Sequence, residues 1–198
     1  MMIVVVSAGH SLKEEGAISG DIHENLLNMH LRDQVVKQLN DMGVATIVPN
    51  DSMNLRETIA FIKRSTYDAA IEIHYNAGQA SAHGVEAFHK EGDPWGKRLC
   101  ENLCGNLSSL LGQRSRGAKS EIHSAHRRLG FVHENPHCVL IEAAFVTNPE
   151  DVGLVLRDDD GKLWATIVAQ TIADHLSGTK VASYQANKCG RVDPGSEG

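Results

Sequence analysis

Four residues of this sequence have the types and spacing to share one piece of chemistry: His10, Glu24, His74 and Glu142. His10 follows the apolar run Ile3-Val4-Val5-Val6 through Ser7-Ala8-Gly9, and His74 closes the run Ala69-Ala70-Ile71-Glu72-Ile73. Each imidazole therefore stands where a buried strand ends, and Glu24 opens the first strongly periodic helix. Two imidazoles and one carboxylate, held at element ends with one coordination position open, form the ligand set of a catalytic zinc. Glu142 ends a third apolar run, Val139-Leu140-Ile141, and is the candidate proton-transfer group. Zinc on three protein ligands lowers the pKa of a water to about 7 and polarises a carbonyl. A nearby carboxylate then takes the water's proton and passes it to a leaving amine. The reaction this set suits is hydrolysis of an amide or ester without a covalent intermediate. The sequence has no G-x-S-x-G nucleophile elbow and no glycine-rich phosphate loop.

Plainer readings exist for each residue taken singly. In a chain with 11 histidines, His10 and His74 alone read as hydrogen-bonded histidines near the core. Glu24 alone reads as a first-turn carboxylate favoured by the helix dipole. Glu142 is harder to read structurally, because a carboxylate in an apolar run is costly when buried without a partner.

The elements that must position these residues alternate between strand and helix. Hydrophobic periodicity predicts a strand over 2–8 and a helix over 23–42, where Leu27, Leu31, Val35, Leu39 and Met42 recur every three or four residues. Gly43 supplies a left-handed cap. A strand over 44–48 precedes a helix capped by Asn54 and running to Arg64, with Glu57 completing a capping box. Strands follow over 69–75 and 84–88, then a helix from Asp93-Pro94 to Leu111. Residues 112–129 read as irregular, and Phe131-Val132 as a short strand beside Val139 to Ala143. Thr147-Asn148-Pro149-Glu150 opens another helix, Asp158-Asp159-Asp160-Gly161 makes a turn, and the last helix spans about 161–176. This alternation predicts an α/β fold: a single domain with a mostly parallel central sheet of about six strands and helices on both faces. Ligands gather beyond the strand C-termini of such sheets. The domain is expected over 1–177, with 178–198 a flexible tail.

Composition excludes several classes. Hydrophobic content of 41% and charged content of 22% are those of a soluble globular domain. A net charge of -6 argues against nucleic acid as a partner, and no apolar stretch approaches the ~20 residues that span a bilayer. Met2 to Val6 is too short for a signal-peptide core, so the expectation is a monomer made in the cytoplasm without a leader. The four cysteines show no C-x-x-C and read as reduced thiols, Cys100 and Cys104 as small hydrophobes on one helix face. Arg114, Arg116, Lys119, Arg127 and Arg128 stand against Glu121 alone between 114 and 128. This is either a solvated loop or a basic rim for carboxylates. His123 and His126 read as part of a polar loop rather than a second metal pair.

Six stretches occur in an order that resembles one family: Ser7-Ala8-Gly9-His10; Gly16-Ala17-Ile18-Ser19-Gly20 then Glu24; Ile73-His74-Tyr75-Asn76-Ala77; Gly84-Val85-Glu86-Ala87-Phe88; Arg116-Gly117-Ala118-Lys119; and Val139 through Glu142 to Glu150. The chain is similar over residues 3–176 to the zinc-dependent N-acetylmuramoyl-L-alanine amidases of bacterial cell-wall hydrolases and phage endolysins. That resemblance implies one zinc on His10, Glu24 and His74, with Glu142 as acid/base. The substrate would be peptidoglycan, cut between N-acetylmuramic acid and L-alanine. Asn76, Lys119, Arg127 and Arg128 are candidate substrate contacts. A lysis enzyme acting on the bacterial wall is the expected role. Two other readings stay open: another zinc amidohydrolase or carboxypeptidase, and a wall-binding module without catalysis. Ser7-Ala8-Gly9-His10 replaces the more usual Asp-x-Gly-His, which leaves the support of the His10 ring unassigned.

Overall fold

In the computed structural model, which describes residues 2–157 and 159–178 and the backbone of 185–186 and 192–193, strand and helix alternate along the chain. The elements are β1 (Ile3–Ala8), β2 (Ile18–Ser19), β3 (Ile22–His23), α1 (Glu24–Asp41), β4 (Ala45–Ile47), α2 (Leu55–Arg64), β5 (Ala69–Asn76), β6 (Val85–His89), α3 (Pro94–Leu111), β7 (Ser115–Ser120), α4 (Gly130–Glu134), β8 (Cys138–Phe145), α5 (Pro149–Leu156) and α6 (Lys162–Ser177). Two short strands, β9 (Gln185–Ala186) and β10 (Val192–Asp193), pair antiparallel. The expected flexibility of 178–198 otherwise lies outside the described residues.

The sheet has six strands in the order β4-β1-β5-β8-β6-β7. The first four run parallel, β6 runs antiparallel to β8, and β7 is parallel to β6. Central parallel strands are covered on both faces, which is why Val4, Val5 and Val6 are all fully buried. On one face Leu31, Val35 and Leu39 of α1, Leu99 and Leu103 of α3 and Trp164 and Val168 of α6 close over the sheet. On the other, Ile62 of α2 with Phe131 and Val132 of α4 cover Val5, Ala70, Phe88 and Leu140. The helix ends follow the local chemistry. Asn54 and Glu57 exchange hydrogen bonds in a capping box, and Asp93 and Asn148 cap helices that begin with proline. Gly43 adopts φ 77° just past α1.

Three expectations need correction. Phe131-Val132 lies in a one-turn helix, α4, not a strand, because two apolar residues have no period and their burial against Ile62 and Leu140 decides. Residues 115–120, read as irregular, form β7; pairing with β6 overrides the weak strand propensity of Ser-Arg-Gly-Ala-Lys-Ser. Glu142 does not end its strand, since β8 continues through Ala143 and Ala144 to Phe145. Cys100, Cys104 and Cys138 are free and buried, as expected of reduced thiols.

Candidate active site

Side chains alternate across a strand, so Ala70, Glu72, His74 and Asn76 of β5 share a face. The register sets His74 beside Glu142 of β8, and Glu142 beside Glu86 of β6. One row of the sheet therefore carries an imidazole and two carboxylates on adjacent strands. In β5 and β8 it lies one step beyond the Glu72–Leu140 pair, at the margin of the apolar cover from α2 and α4.

The other two residues arrive from the loop after β1 and the start of α1. His10 holds a left-handed φ of 66°, and α1 fixes the loop around it. Asn28 donates its side-chain N–H to the Gly9 carbonyl at 3.0 Å and to Glu24 Oε1 at 3.4 Å, and Asn25 donates to the Ser11 carbonyl at 2.9 Å. This backbone tether orients His10. Glu24 Oε2 lies 3.2 Å from His10 Nε2, and Glu24 Oε1 lies 3.0 Å from His74 Nδ1. The two rings meet edge to face at 5.1 Å between centroids. One ligand atom from each of the three residues falls within 4.8 Å of the others, and no other such group of three exists among the described residues. Tetrahedral bonds of ~2 Å put donors roughly 3.3 Å apart, so the set fits a small divalent cation. Glycine keeps the space clear: a Cβ on Gly16 would sit 2.6 Å from Glu24 Oε2, and one on Gly9 would strike the His74 ring.

The electrostatics favour positive charge here. Burial alone would raise the Glu24 carboxyl. Hydrogen bonds from His10 and His74, the His74 charge and the Ala17 N–H outweigh it and hold Glu24 well below the usual carboxylate range. Burial opposes charge on His74 too, yet bonds to Glu24 and Glu72, with the fields of Glu72 and Glu142, push it well above the ordinary value. Glu142 goes the other way. Burial, helped by Glu24 and Glu86 against His74 and His10, raises it to about 7. Its Oε2 is buried without a hydrogen-bond partner among the described residues.

Sequence reasoning singled out neither Glu72 nor Glu86 as a working residue. Glu72 Oε2 lies 3.2 Å from His74 Nε2; the period-two alternation of β5 could have found it. Glu86 accepts from Asn76 Nδ2 and Arg116 Nε at 2.8 Å each, and pairs with Lys119. These cations hold Glu86 below the carboxylate range despite its burial, which alone would raise it. Two candidate substrate contacts, Asn76 and Lys119, are thus bonded to Glu86, whereas Arg128 pairs with Glu134. A cleft of about 340 Å³ opens beside His10, Glu72 and His74, with His126, Arg128 and Leu129 in its wall; Arg127 is not among its lining residues.

A largely parallel α/β sheet that gathers two imidazoles and several carboxylates at one site has the build of a hydrolase. The chain belongs to the N-acetylmuramoyl-L-alanine amidase family, which residues 4–174 match, and is an enzyme of that class acting on the peptidoglycan amide. An N-acetylmuramoyl-L-alanine amidase from Clostridium difficile 630 superposes with a TM-score of 0.80 at 21% identity, over 90% of this chain and 98% of that one. A Neisseria meningitidis protein provisionally described as such an amidase gives 0.76 at 28% identity, over 89% and 96%. The uncharacterised protein YqiI of Bacillus subtilis (strain 168) is 29% identical over 154 residues, 75% of this chain and 72% of that protein.

Proposed function

We propose that this chain is a zinc amidase in which His10, Glu24 and His74 hold one metal ion and Glu142 is the general acid/base. The observation that carries the reading is the convergence of His10, Glu24 and His74 within 4.8 Å, with Glu142 in the next strand beside His74. Bound there, zinc would supply Lewis acidity, polarising the scissile carbonyl and lowering the pKa of a water to about 7. Glu142, raised to about 7 and without a hydrogen-bond partner at Oε2 among the described residues, is matched to take a proton from an attacking water and return it to the L-alanine nitrogen as the amide breaks. Glu24, held well below the usual carboxylate range by the two imidazoles, suits a ligand's role rather than the acid's. Arg116 and Lys119 compensate Glu86, so that two bare carboxylates do not face each other across β6 and β8. Residues 1–177 form the catalytic domain. The rim bearing Arg127 and Arg128 receives stem-peptide carboxylates.

We further read the enzyme as a monomeric lysis enzyme of the endolysin type, made in the cytoplasm and acting on the wall. No helix among the described residues is long and apolar enough to cross a membrane, which suits that reading. Digestion of purified sacculi tests the activity. The expected product is new amino-terminal L-alanine, lost on chelation and restored by zinc. Amino termini other than L-alanine, or undiminished digestion after metal removal, would contradict the assignment.

A further inference from the structure

We propose that Glu72 is a positioning residue: it accepts the Nε2–H of His74, so that when a metal ion replaces the proton shared with Glu24 the Nδ1 of that ring is the atom left to bind it, on the side of Glu24 and His10. The inference rests on the metal site proposed above. Glu72 is 5% exposed in a run that is otherwise apolar, Ala69-Ala70-Ile71 before it and Ile73 after. A buried carboxylate there is costly unless it is paired. Its one hydrogen-bond partner among the described residues is His74, at 3.2 Å from Oε2 to Nε2. The opposite ring nitrogen, Nδ1, lies 3.0 Å from Glu24 Oε1, on the side of the cluster. The ring therefore stands between Glu72 and the other two donors, which rules Glu72 out as a neighbouring ligand and leaves it behind the imidazole.

A neutral imidazole has one N–H and one lone pair, so a carboxylate that accepts from Nε2 decides that Nδ1 is the donor atom. It also makes that nitrogen more basic toward a cation. The two imidazoles are thus fixed by different means. His10 is set by its left-handed backbone and the bond from Asn28 to Gly9, whereas His74 sits on a strand whose backbone is committed to the sheet and takes its orientation from a side chain.

Zinc affinity of the metal-stripped protein, measured by competition with a chromogenic chelator, and the ring ¹⁵N shifts of His74 in the zinc-loaded parent test this. Glu72→Ala is expected to weaken zinc binding by about 10- to 100-fold. Glu72→Gln, which keeps an acceptor oxygen in place, is expected to restore most of the loss. The parent spectrum is expected to show His74 protonated at Nε2 and bound through Nδ1. Unchanged affinity in Glu72→Ala, a Glu72→Gln variant as weak as Glu72→Ala, or a proton on Nδ1 in the loaded parent would overturn the proposal. The spectrum needs no variant, so a misfolded mutant does not protect it. A parent that takes up no zinc would instead sink the metal site itself, a result distinct from each of these.

Discussion

Glu24 and Glu142 lie in the same acidic neighbourhood and respond to it in opposite ways. Glu24 receives hydrogen bonds from both imidazoles and stays charged, whereas Glu142, half-buried with its Oε2 closed off from solvent, has no such bond at that atom among the described residues and keeps its proton to about 7. The sign of the consequence for stability is unusual for a carboxylate. In the unfolded chain Glu142 releases its proton near 4.5; in the fold it does so near 7. The penalty for charging it is absent below pH 4.5, grows between 4.5 and 7, and is complete above 7. In metal-stripped protein, Glu142→Gln should therefore stabilise by up to about 3 kcal/mol at pH 8, at 1.36 kcal/mol per pKa unit, and by little at pH 4.5. Urea unfolding at the two pH values checks this, and an equal effect at both would contradict the raised pKa. The basic rim acts through charge. Neutralising Arg127 and Arg128 together should raise KM on peptidoglycan several-fold at constant kcat, since charge-assisted bonds to exposed carboxylates are individually modest. Unchanged steady-state kinetics would remove the rim from substrate binding.

The first turns of α1 act as a bracket for the loop that carries His10. Glu24, Asn25, Asn28 and Arg32 are buried on that helix; the asparagines hold the carbonyls of Ser11 and Gly9, and Arg32 grips Asp51, whose own carbonyl accepts from Leu12 N–H. Asn28→Ala should cost roughly 1–3 kcal/mol, the range for a buried hydrogen-bonding group left unpaired, and should weaken zinc uptake. Asn54→Ala breaks the capping box of α2 and should cost about 1 kcal/mol while leaving zinc uptake as in the parent. Denaturation and chelator competition on the two variants separate bracket from cap; equal zinc affinity in both would deny α1 this role. Helix α1 was legible in the sequence because Leu31, Val35 and Leu39 recur every four residues. Its bracket was not, because asparagine side chains leave no periodic trace of the carbonyl they reach. For the same reason α4 and β7 escaped: Phe131-Val132 is too short to have a period, and β7 exists only because β6 lies alongside.

At the scale of the whole molecule, the strand–helix alternation announced the class of fold, and the four chemistry-bearing positions could be named from their places next to apolar runs. The strand order could not. That β8 sits between β5 and an antiparallel β6 is a tertiary fact, and it is what brings Glu142 between His74 and Glu86. A site assembled from the loop after β1, from α1 and from β5 forms only in the folded chain, so its ligand must stabilise the fold. Zinc at 100 times its Kd should add about 2.7 kcal/mol, or roughly 5–10 °C in Tm for a domain of this size. Calorimetry with and without chelator reads this, and an unmoved Tm would argue against an intramolecular metal site. The most direct test joins metal content to turnover in one variant, Glu142→Gln. One zinc per chain in both parent and variant, with digestion of sacculi lowered by about 10²- to 10⁴-fold in the variant, is the predicted result. Zinc lost from the variant, or digestion at the parent's rate, would contradict the account.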